Sequence, residues 1–354
     1  MTKKRTRRKF RLVLATGVIG VAAYGAAYRF ATRYRERVGL PHRSPVETTP
    51  EEFGLAYERI EIPSGDLRLA GWFVPATTDA GATADAGPRP GIAIVHGWES
   101  NRGRTFAHVR YLHAAGFHCL VFDVRGHGDS PSETLPINVP EFADDAVAAA
   151  RWLAARPEIS AVGVLGHSMG GAGVIVAAAR EPLIRAVVSL SAPADLVRMT
   201  RKTFTMAEMH IPRPIAGPLA LITAAVLMAP RRHSIDDASA LVAARRYRGP
   251  LLLIHGAQDH GVPVEHLELI AQAATGARAP EDPPVERLVL PEFGHRWLYE
   301  APEFRRRVAR FFAVALGGPV SPKLAGERAG ACAVERPPDP AYGFGSLPAR
   351  LPPG

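Results

Sequence analysis

Apolar runs and segments of helical length alternate along the chain from about residue 53 onward. Two of the runs, 55–62 and 67–74, flank a Ser-Gly-Asp turn and predict a β-hairpin. Five later runs are mostly apolar and lack polar alternation, at 91–95, 118–123, 161–165, 185–190 and 251–255. Helix-length segments lie at 104–115, 141–155, 169–180, 264–274 and 302–314. Because strands buried on both faces lack polar alternation, this order predicts an α/β fold with a doubly wound, mostly parallel sheet.

The alternation stops between the strands near residues 190 and 251. Residues 196–246 are too long for a loop between two core strands, so they predict a helical cap inserted into an α/β domain that covers 50–316. Within the cap, residues 214–230 are strongly apolar, which suits a core helix pair, a contact with lipid or the wall of a substrate pocket. Residues 317–354 are rich in Pro and Gly and predict a disordered tail.

The positive charge of the chain is concentrated at its N-terminus. Residues 1–38 hold 11 Lys and Arg and one acid, whereas the whole chain has a net charge of +9, so the remainder is almost neutral. This distribution excludes a nucleic-acid-binding protein. The uncharged run 12–28 meets the lower length limit of a membrane-spanning helix, and its heavier basic flank precedes it. We therefore expect a membrane-associated protein with a single N-terminal anchor at 12–28.

Two other interpretations of this segment stay open. Residues 6–12 resemble a twin-arginine export signal, and small residues near 23–27 would suit a peptidase. The segment would also serve as a basic tail on a cytoplasmic enzyme. The side of the membrane that the enzyme faces and its oligomeric state do not follow from the sequence.

Nothing in the sequence predicts a metal or a cofactor. Cys119 and Cys332 are too few for a disulfide framework or a zinc cluster. In the Gly-rich turn 123–130, His127 and Asp129 are two residues apart and lack the spacing of a metal site. We expect that turn to be a structural loop near the mouth of a pocket.

Ser168 is the predicted nucleophile. It lies in the motif Gly166-His167-Ser168-Met169-Gly170, between a predicted buried strand and an Ala-rich helix. A sharp turn from strand to helix strains the serine backbone and exposes its hydroxyl, and the glycines permit the close approach of the two elements. A serine that merely caps the helix is the alternative.

A serine hydroxyl needs a base and a residue that orients the base. In this architecture the chain order is serine, acid, histidine. Asp259 follows the strand near 251–255 and His295 follows the last strand signal near 287–291, so both emerge at the same edge of the sheet as Ser168. We predict His295 as the base and Asp259 as the acid. The rival histidines are His260 and His266, and the rival acids are Asp195, Asp236 and Asp237.

Two backbone N–H groups are needed to stabilise the oxyanion of a tetrahedral intermediate. We expect the amide of Met169, directly after the nucleophile, and the amide of Trp98, with Gly97 as the alternative to Trp98. His96 precedes this glycine. We expect its imidazole to order the loop by hydrogen bonding rather than to act as a base.

Five segments together resemble the α/β-hydrolase superfamily, in particular its esterase/lipase and serine-peptidase-like branch with an inserted cap. They are HGWESNR at 96–102, FDVRGHGDS at 122–130, GHSMGG at 166–171, HGAQDHGVP at 255–263 and FGH at 293–295. The resemblance covers about residues 55–316. It implies Ser168, Asp259 and His295 as a catalytic triad, with Trp98 and Met169 as the oxyanion hole and without a cofactor.

The expected reaction is hydrolysis of a small-molecule or lipid-like carboxylic ester through an acyl-enzyme, with an apolar acyl group favoured by the apolar cap. A serine peptidase or a thioesterase would use the same residues. A membrane-tethered binding module without activity is the alternative from a different functional class.

Overall fold

The sheet has eight strands in the order β1-β2-β4-β3-β5-β6-β7-β8. In the computed structural model, which describes residues 2–77, 87–205 and 209–334 with side chains from residue 20 onward, the strands are β1 Glu58–Ser64, β2 Leu67–Val74, β3 Arg89–Val95, β4 His118–Phe122, β5 Ile159–His167, β6 Ile184–Leu190, β7 Leu251–Gly256 and β8 Val285–Leu290. Strand β2 is antiparallel to both of its neighbours, and all the other pairs are parallel. The predicted fold class, an α/β fold with a mostly parallel sheet, is confirmed.

Helices cover both faces of this sheet. They are α1 Thr2–Val38, α2 Phe106–Ala114, α3 Val139–Ala154, α4 Met169–Ala178, α5 Leu196–Thr205, α6 Arg213–Met228, α7 Ala240–Ala244, α8 Glu265–Thr275, α9 Pro302–Leu316 and α10 Pro322–Ala331. Helices α3, α4, α7 and α8 contribute to the core on one face, and α2, α9 and α10 contribute to the core on the other. The sheet is therefore doubly wound.

Strand β3 explains why the central strands have no polar alternation. Ala93 and Val95 lie in one core, and Ile92 and Ile94 lie in the other. All four side chains are fully buried. Because successive side chains of a strand point to opposite faces, a strand covered on both sides must be apolar at every position.

The cap consists of α5, α6 and α7, between β6 and β7. The N-terminal helix α1 packs against it. The rings of Phe30 and Tyr34 contact Phe204 of α5, with centroid distances of 5.6 and 5.5 Å. The guanidinium of Arg35 donates a hydrogen bond to the carbonyl of Val226 in α6, at 3.2 Å. The C-terminal part of α1 is thus part of the cap's packing.

Residues 12–19 of the predicted anchor at 12–28 lie outside the described side chains, which begin at residue 20. Among the described residues, one helical stretch is long and apolar enough to cross a membrane, Arg213–Arg231 in the cap. About 39% of the apolar part of this stretch is buried inside the protein.

The structure differs from the expectation of a disordered tail at 317–354. Residues 322–331 form α10, which packs on α9, and residues 335–354 lie outside the described part. A Cβ atom on Gly330 would come within 2.5 Å of the Arg306 side chain, so glycine permits the close approach of the two helices. The buried Arg305 donates hydrogen bonds to the carbonyls of Ala329 and Gly330. Small residues and a buried arginine replace the large apolar side chains from which a helix is normally predicted.

Candidate active site

Ser168 lies at the turn from β5 to α4, with φ 55° and ψ −119°. This backbone conformation is strained for any residue other than glycine. Neighbouring glycines make the turn possible. A Cβ on Gly166 would lie 2.2 Å from the carbonyl oxygen of Gly170, and a Cβ on Gly170 would lie 2.3 Å from that of His96. The backbone N–H of Ser168 is bonded to the carbonyl of Leu190 at 2.8 Å, which fixes the turn against β6.

Asp259 and His295 lie on the loops that follow β7 and β8. The Nδ1 atom of His295 is 2.6 Å from Oδ2 of Asp259. The carboxylate is fully buried, whereas 23% of the His295 side chain is exposed. Burial alone would raise the pKa of Asp259, but hydrogen bonds from His255 and His295 outweigh it and hold the pKa below its usual value. Asp259 is therefore ionised and orients the imidazole of His295.

Close contact between the two loops makes this pairing possible. A Cβ on Gly256 would lie 2.2 Å from the carbonyl oxygens of Phe293 and Gly294. The N–H of Gln258 donates to the carbonyl of Phe293 at 2.9 Å. Only a residue without a side chain at position 256 allows the loops to touch, and their contact carries Asp259 to the imidazole.

Two further groups hold the carboxylate of Asp259. The N–H of Val262 donates to Oδ1 at 2.8 Å, and Nε2 of the buried His255 lies 3.2 Å from Oδ2. His255 Nε2 also lies 2.7 Å from the carbonyl oxygen of Val262. The sequence reasoning missed this role of His255. Its position at the end of a buried strand, four residues before Asp259, was the available signal.

His167 links the segment of Ser168 to the loop that follows β8 and carries His295. It directly precedes Ser168, and its Nε2 lies 2.8 Å from the carbonyl oxygen of His295. Burial, together with the neighbouring His295, lowers the pKa of His167 to about 3. The imidazole is therefore neutral and donates its Nε2–H to that carbonyl. This contact, which the sequence reasoning also missed, brings the loops of Ser168 and His295 side by side.

The loop after β3 lies against Ser168. A Cβ on Gly97 would be 3.3 Å from the Cβ of Ser168. His96 Nε2 accepts a hydrogen bond from the N–H of Val124 at 3.0 Å, so its proton lies on Nδ1, which is 2.7 Å from the carbonyl oxygen of Gly97. In a trans peptide the C=O and the following N–H point in opposite directions. The bond to Gly97 therefore directs the N–H of Trp98 away from His96.

The amides of Trp98 and Met169 make no hydrogen bond to any residue that the structure describes. Both are loop or helix-start groups without an intrahelical partner. These two N–H groups lie on the segments that flank Ser168 and are unpaired among the described residues.

The fold and these loops have counterparts in known proteins. Residues 86–229 match the family model described as serine aminopeptidase, S33. The protein Rv2307c of Mycobacterium tuberculosis is 24% identical over 291 residues, which cover 81% of this chain and 89% of that protein. The lysophosphatidylserine lipase ABHD12 of Xenopus tropicalis is 27% identical over 236 residues, which cover 63% of this chain and 57% of that one. The esterase Pf2001 of Pyrococcus furiosus has the same fold, with a TM-score of 0.61 at 23% identity over 78% of this chain and 100% of the esterase. The chain therefore has the fold of these hydrolases and resembles the α/β-hydrolase superfamily over the matched residues.

These matches confirm the resemblance noted in the sequence, and the relatives include one named as a lipase and one named as an esterase. The rival residues predicted from the sequence have other surroundings. Asp195 pairs with Arg198 at 2.9 Å, and His266 accepts the N–H of Ala194 at 2.9 Å. The side chain of His260 is exposed.

The remaining rival acids, Asp236 and Asp237, lie in a short helical turn of the cap. Asp237 accepts hydrogen bonds from the N–H and the hydroxyl of Ser234, at 2.8 and 2.9 Å. Its carboxylate thus stabilises the start of its own helical turn, and its hydrogen bonds do not involve His295.

The Gly-rich turn at 123–130 supports the loop 96–102, which follows β3. The buried Asp123 forms an ion pair with the guanidinium of Arg102 and accepts the N–H of Arg102 at 2.7 Å. The ring of His127 packs edge-on against Trp98, with a centroid distance of 5.4 Å. Among the described residues, no group of three or more His, Cys, Asp or Glu is arranged to hold a metal ion.

A cavity of about 70 Å³ lies beside His295. Its walls come from the segment after β3 that includes Gly97 and Ser100, from His167 and Leu190, and from residues 295–299. The cap also contacts the acid loop, the loop after β7 that carries Asp259. The ammonium group of Lys202 in α5 donates to the carbonyls of His260 and Gly261, the latter at 2.6 Å. The cap therefore touches the segment that carries Asp259.

Proposed function

We propose that this hydrolase cleaves a carboxylic ester, with an apolar acyl group favoured, through an acyl-enzyme on Ser168. The observation that carries the proposal is the 2.6 Å contact between His295 Nδ1 and Asp259 Oδ2, on a loop that is bonded to His167 next to the strained Ser168. An ionised carboxylate on Nδ1 fixes the tautomer in which Nε2 is free to accept a proton.

In the proposed reaction the proton of the Ser168 hydroxyl passes to Nε2 of His295 while Oγ bonds to the carbonyl carbon of the ester. The amides of Trp98 and Met169 stabilise the resulting oxyanion. When the intermediate collapses, the bond to the alcohol breaks and the alcohol leaves with the proton from His295. Water then attacks the acyl group and gives a proton to His295. The bond between the acyl carbon and Oγ breaks, the acid leaves, and His295 returns the proton to Ser168.

Two observations favour an ester. The names of two relatives, a lysophosphatidylserine lipase and an esterase, describe ester hydrolases. The cap has an apolar interior around Phe204, Ala216 and Ala220. An aminopeptidase would need a carboxylate in the cap for the substrate ammonium. Asp195 is already paired, Asp236 and Asp237 lie in the short helical turn 235–238, and Glu208 lies outside the described residues. A thioesterase and a non-catalytic binding module remain the competing functions.

We also propose that residues 12–28 anchor the enzyme in a membrane. The described part of this run supports the proposal, because Val21, Tyr24 and Tyr28 are exposed on α1 by 75, 60 and 49%. An apolar helix exposed in this way is unfavourable in water and suits a bilayer.

A fluorophosphonate probe tests the serine mechanism, because it reacts only with an activated serine. The full chain is purified in detergent and labelled beside Ser168→Ala and His295→Ala. We expect the parent to label and both variants to lose labelling. A series of p-nitrophenyl esters of rising acyl length should then be hydrolysed by the parent alone.

Asp236→Asn is a matched control for these variants, because it removes a carboxylate from the exposed cap turn rather than from the His295 loop. It should label like the parent. A folded parent that neither labels nor hydrolyses any ester would refute the proposal and favour the binding module.

A further inference from the structure

The cap helix α6 has an outer face without polar side chains. Between Pro214 and Met228 its only polar side chain is that of Thr223, which is fully buried. The exposed positions of this stretch are all apolar: Pro214, Ile215, Pro218, Leu221 and Ala225. Ile215 and Leu221 are exposed by 58 and 52%. This arrangement is the reverse of the usual amphipathic surface helix.

Helix α9 of the same protein gives the contrast. It buries Phe304, Val308 and Phe312 in the core. Four of its six exposed positions carry charges, namely Glu303, Arg306, Arg307 and Arg310, and the other two are Pro302 and Val314. The apolar outer face of α6 is therefore a local property of the cap. A contiguous apolar surface of this kind marks a contact with another molecule or with a membrane.

Helix α1 brings a second apolar surface to the cap. Residues 20–26 contain no charge and are all exposed, and about ten residues later the same helix packs on α5 and α6 through Tyr34 and Arg35. A helix of 37 residues such as α1 is about 55 Å long. The run predicted to enter the membrane and the exposed face of α6 are thus joined through one rigid helix.

The charges around these two apolar surfaces indicate which molecule covers them. Arg29 and Arg33 on α1, Arg213 at the start of α6 and Arg232 beyond its end are exposed. None of the four forms an ion pair with a described carboxylate. A second copy of the chain would bring like charges together at this surface, whereas anionic headgroups would neutralise them.

We propose that the outer face of α6 lies in the headgroup and acyl boundary of a bilayer that contains anionic phospholipids, beside α1, and that the cap thereby faces the membrane. The cap is coupled to the site, because Phe204 of α5 packs against Ala216 and Ala220 of α6, and Lys202 of α5 bonds the loop after Asp259. The enzyme therefore takes its ester from the bilayer. This last step rests on the proposed ester hydrolysis, while the position of α6 does not.

The position of α6 is tested with the full chain in vesicles of phosphatidylcholine and phosphatidylglycerol. In a Cys332→Ser background, where the remaining Cys119 is fully buried, Leu221→Cys is labelled with an environment-sensitive NBD dye. Val314→Cys is the matched control, because Val314 is 67% exposed and apolar but lies on α9, on the opposite face of the sheet. We expect the dye at 221, and not that at 314, to shift its emission to the blue and to be quenched by doxyl-labelled lipids.

Two results would overturn this position. A dye at 221 that is as accessible to aqueous iodide as the dye at 314 shows an α6 in water. A dye at 221 that is shielded from iodide but not quenched by doxyl lipids shows that protein covers the face, either a second copy or another segment of the chain.

The supply of substrate is tested by activity. The double variant Ile215→Asp/Leu221→Asp should lower hydrolysis of a long-chain fluorogenic ester in vesicles about tenfold and leave hydrolysis of soluble p-nitrophenyl acetate unchanged. The control Val314→Asp should hydrolyse both esters at the parent rate. Equal effects on both esters, or no effect on either, would contradict substrate entry from the bilayer. If the parent hydrolyses neither ester, the proposed function fails, and the quenching result still decides the position of α6.

Discussion

His96 holds the carbonyl of Gly97 through a hydrogen bond from Nδ1–H, at 2.7 Å, while its Nε2 accepts the N–H of Val124. Burial and the nearby His127 keep the pKa of His96 well below its usual value, so the imidazole is neutral and both bonds persist. One buried side chain therefore decides the direction of the next amide, that of Trp98.

Replacement of His96 by Ala should disorient this amide. Loss of one oxyanion donor typically lowers turnover by about 10²–10³, and we expect kcat of His96→Ala to fall by up to this factor with a smaller change in KM. The measurement is steady-state kinetics on a p-nitrophenyl ester.

His118→Ala provides the control for this variant. His118 is a buried histidine that also accepts a backbone N–H, that of Ala76 at 3.1 Å. It lies at the amino end of β4, whereas Ser168 and His295 follow the carboxyl ends of their strands. It should lose stability without a selective loss of kcat. Equal kcat losses in both variants would show that His96 acts only through general stability.

The strain at Ser168 predicts a difference between two inactive variants. At φ 55° and ψ −119° an alanine keeps the strain and a glycine relieves it. Such strain costs about 1–3 kcal/mol, and glycine gives back roughly 0.5–1 kcal/mol in chain entropy. Ser168→Gly should therefore unfold in urea with a free energy about 1 kcal/mol above that of Ser168→Ala. A glycine variant that is the less stable of the two would argue against a strained nucleophile turn.

Buried neutral histidines predict a loss of stability in weak acid. Burial lowers the pKa of His108 to about 3 and those of His118 and His127 to about 4. In the unfolded chain these groups take up protons near pH 6.5. The contribution of these neutral histidines to the free energy of unfolding is therefore complete above about pH 6.5. It is lost as the pH falls toward 4, by about 1.4 kcal/mol per pH unit and group.

Urea unfolding at pH 7.5 and pH 5 measures this effect. His118→Asn keeps an acceptor for the amide of Ala76 but does not titrate, so it should reduce the difference in unfolding free energy by about 2 kcal/mol. The same difference in parent and variant would mean that His118 is protonated in the folded state at pH 5.

Lys202 predicts that the cap contributes to catalysis through the acid loop. Its ammonium group bonds the carbonyls of His260 and Gly261, directly after Asp259. A hydrogen bond from a charged group contributes about 1.5–3 kcal/mol, so we expect Lys202→Met to slow fluorophosphonate labelling of Ser168 roughly tenfold. Arg201→Met, an exposed cation on the same helix, should label at the parent rate. Equal rates in the two variants would show that the loop holds its position without the cap.

Much of the fold was readable from local pattern. The buried runs at 91–95 and 161–165 lie within β3 and β5, and the predicted cap contains α5, α6 and α7. Helix α10 was not readable, because its contacts with α9 depend on Gly326 and Gly330 rather than on large apolar side chains. Such a contact surface has no hydrophobic period from which a helix is predicted.

The sequence by itself determined the alternating order of strands and helices and the three residues proposed for the reaction, because chain order and a strand-to-helix glycine turn are local features. Only the tertiary structure decided what holds those residues in place. The contact of His167 with His295 and that of Lys202 with Gly261 join segments that are far apart along the chain. The apolar outer face of α6 also became evident only there, since composition cannot tell which side of an apolar helix the protein covers.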